Sequence, residues 1–334
     1  MENTVRAPSP KREKFITHFS EGDSVDSVFY VKFKKPVRQA KNGVHFLSLQ
    51  VADKTGELPL FLWGDEDPEK MQKIFDSIKG HDIIRVINGK ITEWSGSYQI
   101  SIQGNTGTIE PAVKTDYNPE DFIATSKRSI TDMTDKLFSH IEFIKNPHLH
   151  QLLANFFSNP TNLKLYTNTP AAMTYHQNWV GGLLEHSLAV ADQAYIYYAG
   201  NSKELDGDLL IVGSLLHDVG KICELEVSTG IKVTEEGNFL GHIASGLMLV
   251  EKEIDKIPDF PEILKFKLLH IIGSHHGKLE FGALKEPCFP EALVIHCVDV
   301  LDSQVSYMVQ QIEEAKTCDD WLWDAKNKRR IYLK

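Results

Sequence analysis

The stretch Leu216-His217-Asp218-Val219-Gly220-Lys221 decides the fold of the larger part of this chain. It follows an apolar run that begins at Leu209, which predicts a buried helix ending at an adjacent imidazole and carboxylate. A buried carboxylate is costly unless it is paired or binds a metal ion. The stretch therefore indicates a metal site whose other ligands come from elsewhere in the chain.

Four further segments carry the residue types that complete such a site. Asp299 follows the apolar run Ala292–Val298, so it is expected inside a helix core. Imidazole and carboxylate ligands together suit Mn, Fe, Co, Ni or Zn better than Ca. A metal site with several ligands and bound solvent usually means hydrolysis of a phosphate ester. The segments are Glu185-His186-Ser187, Gly241-His242-Ile243, Ser274-His275-His276-Gly277 and Val298-Asp299-Val300-Leu301-Asp302.

The composition is that of an ordinary soluble protein with room for two domains. Of the 334 residues, 42% are hydrophobic and 25% are charged. No apolar run reaches about 18 residues, so no membrane span is expected. Residues 1–12 are polar, lack the apolar core of a signal peptide and are expected to form a disordered tail. The four cysteines form no CxxC pair, which favours reduced thiols and a cytoplasmic location.

The net charge of −10 is unevenly distributed along the chain. Residues 1–112 contain 15 Lys and Arg against 15 Asp and Glu, whereas the remainder contains 21 against 31. A polyanionic ligand is therefore expected to meet the N-terminal part more easily. The acidic remainder would need bound metal cations to accept a phosphate group.

The N-terminal part alternates apolar and polar residues as half-buried strands do. Asp53-Lys54-Thr55-Gly56 is a strong turn signal between two of these strands. Three strands, a helix and two strands in this order predict a small Greek-key barrel of the OB type over residues 13–110. The predicted strands are Ser24–Phe33, Val44–Ala52, Glu57–Trp63, Asp82–Ile91 and Tyr98–Ile102, and the helix is Pro68–Lys79.

A predicted linker at residues 111–121 separates this barrel from a helical domain over residues 122–334. The linker lacks periodicity, and helical periodicity dominates after Pro119. The amphipathic stretch Trp321–Leu333 is expected to pack in cis or against another subunit, which leaves an oligomer open. The predicted helices are Glu120–Ser126, Ser129–Ile144, Pro147–Phe157, Gly182–Tyr198, Leu205–His217, Phe239–Ile254, Pro261–Ser274 and Pro290–Ala315.

The order of the metal-binding residue types resembles the HD superfamily of metal-dependent phosphohydrolases, whose minimal pattern is His, His-Asp, Asp. The pattern maps onto His186, His217-Asp218 and Asp299. The additional His242 and His275-His276 resemble the subgroup that binds a second metal ion. The resemblance thus implies an all-α HD-type domain with metal ligands His186, His217, Asp218, His242, His275 and Asp299.

Longer motifs narrow the resemblance. Pro170-Ala171-Ala172, Gly181-Gly182-Leu183-Leu184-Glu185-His186 and Leu216–Ile222, with an OB-type barrel in front, resemble the YhaM-type 3′-to-5′ exoribonucleases of bacteria. The similarity extends from about residue 13 to residue 315. This chain has Tyr175-His176 where that family commonly has two histidines, and Val300 where it commonly has asparagine.

This resemblance implies a metal-dependent nuclease, usually Mn-favouring, that removes nucleotides from the 3′ end of single-stranded RNA and often of single-stranded DNA. Asp218 would bridge two ions, and a water between them would attack the terminal phosphodiester, releasing a nucleoside 5′-monophosphate. Lys221 corresponds to the lysine of the HDxGK pattern, as a cation facing phosphate or as a solvated helix-end residue. His276 would be a ligand of a third metal ion, a phosphate contact or a proton donor.

An OB barrel binds single strands by stacking bases on aromatic side chains beside a cationic groove. The N-terminal part offers a basic stretch along its first strand and aromatic residues on the others. Phe46 and Phe61 are interpreted as core residues, whereas Trp94 and Tyr98 flank a Ser-Gly-Ser turn and are expected to be exposed. The predicted substrate-binding residues are Lys32, Lys34, Arg38, Trp63, Trp94 and Tyr98.

Two other hypotheses remain alongside the exoribonuclease. The first is an HD phosphohydrolase that acts on a free nucleotide or a cyclic dinucleotide, although such an enzyme does not need an OB barrel. The second is a non-catalytic nucleic-acid-binding protein that keeps the metal ligands for structure. Such a protein would bind an oligonucleotide and leave its length unchanged.

Overall fold

The computed structural model describes residues 14–64, 68–94, 96–118, 121–173, 177–228, 230–315 and 319–334. The predicted tail at residues 1–12, together with Tyr175 and His176, lies outside them. The chain forms two compact units, Met1–Ala124 with Ser228–Gly230, and Thr125–Val227 with Ile231–Lys334.

The first unit is a closed five-stranded barrel, which confirms the predicted OB topology. Its strands follow the order β1-β2-β3-β5-β4, and β1 also pairs with β4 to close the barrel. All pairs are antiparallel except β3 with β5, and a further strand, β6, extends the sheet beside β4. The elements are β1 (Ser24–Gln39), β2 (His45–Asp53), β3 (Gly56–Trp63), α1 (Pro68–Ser77), β4 (Ile83–Trp94), β5 (Ser97–Gln103) and β6 (Thr108–Pro111).

Alternation along the strands builds the barrel core. Leu47 and Leu49 of β2 face inward and are buried with Leu60 and Leu62 of β3 and Ile100 of β5. Because side chains alternate between the two faces of a strand, the residues between them point outward. The OB fold thereby presents a continuous outer face on β1, β2 and β3.

The segment after β6 packs onto the barrel instead of forming the predicted helix. No α-helix lies among residues 121–126, the described part of the predicted helix Glu120–Ser126. Phe122 is buried in a small cluster with Tyr30 and Ile83, and Lys54 N donates to the carbonyl oxygen of Asp121. The burial of Phe122 against the strands outweighs the weak helical tendency of this short segment.

The second unit is a helical domain around α5 and α6, as predicted. Residues 209–216 are all buried, so α6 is surrounded by other helices. Its helices are α2 (Ile130–Glu142), α3 (Pro147–Ser158), α4 (Pro160–Asn168), α5 (Gly182–Gly200), α6 (Gly207–Leu216), α7 (Lys221–Glu224), α8 (Glu235–Ile254), α9 (Glu262–Ser274) and α10 (Pro290–Glu314).

Three features of this unit differ from the sequence-based prediction. Helix α4 was not expected: Asn159 ends α3 and at once caps α4, whose first residue is Pro160. Two short antiparallel hairpins were also missed, β7 (Leu225–Val227) with β8 (Ile231–Val233), and β9 (Trp321–Asp324) with β10 (Arg329–Tyr332).

Helix α10 is the one helix among the described residues that is long and apolar enough to cross a membrane by length and composition. It also packs against α5, α6 and α9 within this unit, with Ala292 and Ile295 fully buried. Core helices of folded domains meet the same length and composition criteria.

Candidate metal centre

Five helices of the second unit bring all six predicted ligands together. His217 follows the last residue of α6 and Asp218 is next to it, so two ligands leave the helix end in different directions. His275 holds the same position after α9, while His186 lies in α5 and Asp299 in α10. His242 follows a break in α8 at Gly241, where φ is +69°.

The first ligand group joins α5, α6 and α10. His186 Nε2 lies 3.3 Å from His217 Nε2, 3.7 Å from Asp218 Oδ2 and 3.1 Å from Asp299 Oδ1. The donor atoms of His186, His217 and Asp218 lie within 4.8 Å of one another, and all three side chains are buried. These atoms converge as the ligands of one transition-metal ion would.

The second ligand group lies on the other oxygen of the same aspartate. His242 Nε2 is 3.6 Å and His275 Nε2 is 3.4 Å from Asp218 Oδ1. His276 joins this group, because its Nε2 lies 3.3 Å from His242 Nε2. Asp218 therefore stands between two sets of imidazoles and presents one carboxylate oxygen to each.

The histidines of both groups are fixed through their other ring nitrogen. Nδ1 of His217, His275 and His276 lies 2.7, 2.8 and 2.8 Å from a backbone carbonyl oxygen, of Ser214, Ile272 and Phe281 respectively. A proton held on Nδ1 leaves the Nε2 lone pair directed at the site, which is how metal-binding histidines are usually oriented. The backbone of the helix ends thus selects the tautomer.

Two carboxylates that the sequence analysis did not assign orient the remaining histidines. Asp302 Oδ2 lies 2.7 Å from His186 Nδ1. Glu224 lies 3.1 Å from His242 Nδ1 and also accepts the backbone N–H of His242 at 3.2 Å. Their spacing in the sequence could have identified them. Asp302 lies three residues after Asp299, and Glu224 lies three residues after Lys221, which is about one helical turn.

Two motif glycines allow the close packing behind these ligands. A methyl group at Gly220 would lie 1.9 Å from the carbonyl oxygen of His242, so α7 can approach α8 only without a side chain there. Gly277 has φ +79°, and a methyl group there would lie 2.2 Å from the His296 ring. His296 Nδ1 in turn lies 2.6 Å from the carbonyl oxygen of His275.

In the first group, the surroundings favour the charged forms of His186 and of the carboxylates beside it. Burial alone would lower the pKa of His186, but hydrogen bonds with Asp299 and Asp302 raise the pKa to about 9. Burial would raise the pKa of Asp218, yet the charges of Lys221 and His217 hold that pKa well below its ordinary value. The carboxylates of this group are therefore ionised, as metal ligands must be.

In the second group, two imidazoles favour their neutral form and two ligand atoms are unused. Burial lowers the pKa of His275 to about 4 and also lowers the pKa of His276. Asp218 Oδ1 and His275 Nε2 are buried and have no hydrogen-bond partner. Leaving two such atoms unsatisfied costs roughly 1–3 kcal/mol each, which a metal ion would offset. The residues present therefore fit a divalent transition metal.

The residues predicted to assist catalysis lie at this centre. Lys221 Nζ is 2.5 Å from Asp218 Oδ2 and is mostly buried, so it is not a solvated helix-end lysine. A ring nitrogen of His276 lies within 4.8 Å of ring nitrogens of His242 and His275 in the second set. His270 Nε2 accepts the backbone N–H of Cys288 at 3.1 Å, which gives this histidine a structural role.

In the barrel, a cluster of aromatic rings covers the outer face of β2 and β3. The ring of Trp63 lies 4.9 Å from that of Phe46 and stacks on Phe61 at 6.0 Å. The interpretation of Phe46 and Phe61 as core residues is wrong, because the register turns the leucines between them inward. We call Phe46, Phe61 and Trp63 the aromatic cluster.

The predicted basic residues have different surroundings. Lys34 Nζ donates to the carbonyl oxygens of Phe75 and Ile78 at 2.7 and 2.5 Å, so it caps α1 and has a structural role. Lys32 pairs with Glu57 at 3.1 Å. Arg38 is the register partner of Phe46 across β1 and β2, which places it beside the aromatic cluster.

Among the aromatic residues predicted to bind substrate, Trp63 lies at one end of β5, and Trp94 and Tyr98 lie at the other end. Trp63 is the register partner of Gln103 at the end of this strand, whereas Trp94 pairs with Ser97 at its start. Trp94 and Tyr98 are exposed at the β4–β5 turn, as expected.

The donor set and its helical frame define the class of HD-type metal-dependent hydrolases. The HD domain family matches residues 183–304 of the chain, which contain all six predicted ligands. The 3′-5′ exoribonuclease YhaM of Bacillus subtilis is 30% identical over 297 residues, covering 88% of this chain and 90% of that protein. The YhaM protein of Halalkalibacterium halodurans is 28% identical, covering 90% of each chain. The chain belongs to the family of YhaM exoribonucleases.

Solved structures similar to the barrel include two archaeal proteins. The replication factor A related protein of Methanobacterium thermoautotrophicum is 22% identical, with a TM-score of 0.25 over 30% of this chain and 91% of that one. The second OB-fold domain of replication protein A from Methanococcus maripaludis is 21% identical, with a TM-score of 0.23 over 30% and 93%.

Proposed function

We propose that this chain is a metal-dependent 3′-to-5′ exoribonuclease that degrades single-stranded RNA, and also single-stranded DNA, to nucleoside 5′-monophosphates. The single observation that carries the proposal is Asp218, whose two buried carboxylate oxygens each face a different set of imidazoles. This arrangement suits two adjacent ions, and membership of the YhaM family supports RNA as the substrate.

The expected ions are two Mn²⁺ per chain, held by His186, His217, Asp218 and Asp299 on one side and by Asp218, His242 and His275 on the other. When bound, they would supply Lewis acidity and a water of lowered pKa. Lys221 neutralises Asp218 and would share its charge with a phosphate oxygen nearby. His276 is close enough to the second set to contact the scissile phosphate or to become a ligand.

The barrel is proposed to hold the upstream part of the RNA. Aromatic rings on the surface of a barrel bind bases of any sequence by stacking, and a neighbouring cation contacts the backbone. The aromatic cluster, whose three rings are half-buried, and the neighbouring Arg38 provide both groups on the outer face of β1, β2 and β3. The protein would act in the cytoplasm, where RNA and reduced thiols coexist.

The test is a time course on single-stranded RNA labelled at its 5′ end, with Mn²⁺ and with or without chelator. A chelator-sensitive ladder that shortens from the 3′ end, with nucleoside 5′-monophosphates as products, is the expected result. Asp218→Ala should lower the rate by at least about 1,000-fold, because both sites lose a ligand. Asp135→Ala, which removes an exposed carboxylate of α2, is the matched control.

Two outcomes would contradict the proposal. Unchanged RNA in the presence of metal-loaded protein that cleaves a generic phosphodiester would favour a free nucleotide or a cyclic dinucleotide as substrate. RNA that is bound but never shortened, by a protein that cleaves no phosphodiester, would favour a non-catalytic role. A wild-type rate for Asp218→Ala would exclude the role assigned to this carboxylate.

A further inference from the structure

The outer face of the β9–β10 hairpin carries three aromatic rings and one arginine. Because side chains alternate between the two faces of a strand, Asp324 and Ile331 are buried on the inner face. The three rings on the opposite face are 50% to 59% exposed, and the arginine is exposed with them. We call the four outward residues, Trp321, Trp323, Arg330 and Tyr332, the hairpin face.

The strand register makes the hairpin face a compact patch. Trp321 lies opposite Tyr332, and Trp323 lies opposite Arg330. Opposite residues on one face of a strand pair are neighbours, and the rings of Trp321 and Tyr332 lie 5.0 Å apart with an interplanar angle of 48°. The two strands expose no aliphatic or acidic side chain. The patch therefore combines flat aromatic surfaces with one cation.

The hairpin is the basic segment of an acidic part of the chain. Residues 321–334 contain five Lys and Arg against one Asp, whereas residues 113–320 contain 16 Lys and Arg against 30 Asp and Glu. Lys328 and Arg330 are exposed, and neither has an ion-pair partner among the described residues. A local positive charge on an otherwise acidic domain indicates an anionic ligand that binds at this place.

The hairpin is attached to the helix that carries part of the metal centre. The hydroxyl of Tyr307 in α10 donates to Asp324 Oδ1 at 2.9 Å. Asp302, which orients His186, precedes Tyr307 by five residues, or about 7.5 Å along the helix axis. The hairpin face thus belongs to the same unit as the metal centre and is anchored close to it.

Single-stranded RNA has the chemistry that matches the hairpin face. Bases of any sequence stack on exposed aromatic rings, and a guanidinium group contacts a phosphate through its N–H groups or stacks on a base. An anionic membrane also attracts Trp and Lys, but a segment that lies on a bilayer buries a long apolar face. Each strand here has only four residues, so a nucleic acid is the better match.

We propose that the hairpin face binds the nucleotides next to the 3′ end of a single strand, upstream of the bond that is cleaved. This inference rests on the proposed function, because an exoribonuclease holds the 3′ end of its RNA in the metal centre. One base stacks on Trp323, the next stacks on the pair of Trp321 and Tyr332, and Arg330 contacts the phosphate between them. The aromatic cluster of the barrel binds nucleotides farther from the 3′ end.

Equilibrium binding of a blocked RNA measures this contact without cleavage. The probe is a short oligouridylate, labelled at its 5′ end, whose last linkage is a methylphosphonate that the metal-loaded chain does not hydrolyse. Trp323→Ala should lower the affinity by roughly 5- to 100-fold, because one stacked base is lost. Trp323→Phe, which keeps a ring, should recover most of the affinity. Phe143→Ala, which removes a 67% exposed ring at the end of α2, is the matched control.

Salt dependence tests the cation separately. Arg330→Ala should reduce the slope of log affinity against log salt concentration by about one phosphate contact. Lys145→Ala, at an exposed position after α2, should leave the slope unchanged. Because Asp324 and Ile331 hold the hairpin from its inner face, these variants should keep the resistance of the hairpin to trypsin.

Photo-cross-linking locates the contact on the RNA. A thiouridine next to the blocked 3′ linkage should cross-link to a tryptic peptide that contains Trp321 and Trp323. The same base placed far upstream in a longer strand should not cross-link to this peptide. Cross-links from the 3′-proximal thiouridine to barrel peptides alone would contradict the proposed position.

The results separate this proposal from the proposed function. If Trp323→Ala binds RNA like the wild type and the chain shortens RNA, the exoribonuclease stands and the hairpin face is not its contact. If Trp323→Ala weakens binding but the wild type never shortens unmodified RNA, the hairpin contact stands and the proposed function fails. Wild-type RNA affinity in Trp323→Ala, together with release from phosphatidylglycerol vesicles, would assign the face to a membrane.

Discussion

Gly220 lies where the backbone of α7 meets that of α8, and there is no room for a side chain. Gly220→Ala would place its methyl group 1.9 Å from the carbonyl oxygen of His242 and 2.5 Å from the backbone nitrogen of Gly246. The two helices must separate, and His242 must move with α8. We expect a loss of about 1–3 kcal/mol in the free energy of unfolding and weaker binding to the second ligand set.

Thermal denaturation and a Mn²⁺ titration measure these two effects. Gly200→Ala is the control, because a methyl group at that end of α5 meets nothing within 4 Å. It should leave both quantities unchanged. If Gly220→Ala binds metal and unfolds like the wild type, the packing argument fails.

Glu224 orients His242 through both the ring and the backbone. Burial would raise its pKa, but the hydrogen bond with His242 outweighs burial and lowers it, so this carboxylate is ionised near neutral pH. Glu224→Ala should weaken metal binding at the second set by about 10- to 100-fold, as losses of such anchoring residues do. The first set should retain its affinity.

Calorimetric titration with Mn²⁺ separates the two sets by stoichiometry and affinity. Glu226→Ala removes an exposed carboxylate from the neighbouring strand β7 and serves as the matched control. Equal weakening of both sets in Glu224→Ala would show that the glutamate acts on the whole fold instead of on His242.

At the scale of elements, the β9–β10 hairpin depends on one buried carboxylate. Asp324 Oδ1 accepts hydrogen bonds from Tyr307 Oη at 2.9 Å and from the backbone N–H of Lys326 and Asn327 at 3.1 and 3.2 Å. Burial would raise the pKa of Asp324, but the hydrogen bonds from Asn327, Tyr307 and Lys326 lower it. The hairpin is therefore held to α10 by an ionised group.

The lowered pKa of Asp324 determines how the stability of the hairpin changes with pH. Because the folded pKa is depressed, the stabilisation is complete above the unfolded value of about 3.9 and is lost as pH falls through the folded pKa. At neutral pH, Asp324→Ala should accelerate tryptic cleavage after Lys326 and Lys328 by about tenfold. Asp135→Ala, at an exposed position of α2 outside the hairpin, should have little effect.

An acid-stable protease extends the measurement to low pH. The difference between the wild type and Asp324→Ala should shrink as pH falls below about 4, because protonation removes the same interaction. A difference that stays constant from neutral to acid pH would mean that the charge of Asp324 does not hold the hairpin.

The sequence predicted long elements well and short ones poorly. Helices α5, α6, α9 and α10 were expected within two residues of their observed starts, because their apolar patterns are long. The hairpins β7–β8 and β9–β10 have strands of three or four residues, too short for periodicity to identify. Helix α4 was missed because one asparagine serves both as the end of α3 and as the cap of α4.

The metal centre was predictable to a different degree for each kind of residue. The six predicted ligands, which the fold brings together, could be named from the sequence because their residue types and order are distinctive. Glu224 and Asp302 were not assigned, since an acidic residue near a helix end is usually a solvated one, and only the folded chain shows which imidazole it contacts. Likewise, only strand register could show that Phe46 and Phe61 face outward.

For the whole molecule, we expect the barrel to determine affinity for long substrates and the metal centre to determine the rate of cleavage. Trp63→Ala removes the central ring of the aromatic cluster, and stacking of one base is worth about 1–3 kcal/mol. The affinity for a long single strand should fall by roughly 5- to 100-fold, while hydrolysis of a dinucleotide keeps its rate. Fluorescence anisotropy and single-turnover cleavage measure the two separately.

Phe143→Ala, which removes an exposed ring at the end of α2 in the second unit, is the control. In addition, Arg38→Ala should lower the dependence of affinity on salt by about one phosphate contact. If Trp63→Ala lowers activity equally on a dinucleotide and on long RNA, the barrel does not act specifically on the affinity for long substrates.

The side chain of Asp218 has a mechanical consequence beyond its chemistry. Because both ligand sets converge on one rigid carboxyl group, covalent geometry would limit the distance between two ions bound as proposed. Thermal movement of α8 or α9 would alter how tightly an ion is held, but the carboxylate would remain a common reference point for both. The protein would therefore tolerate motion in these two helices while the spacing between the ions stays nearly constant.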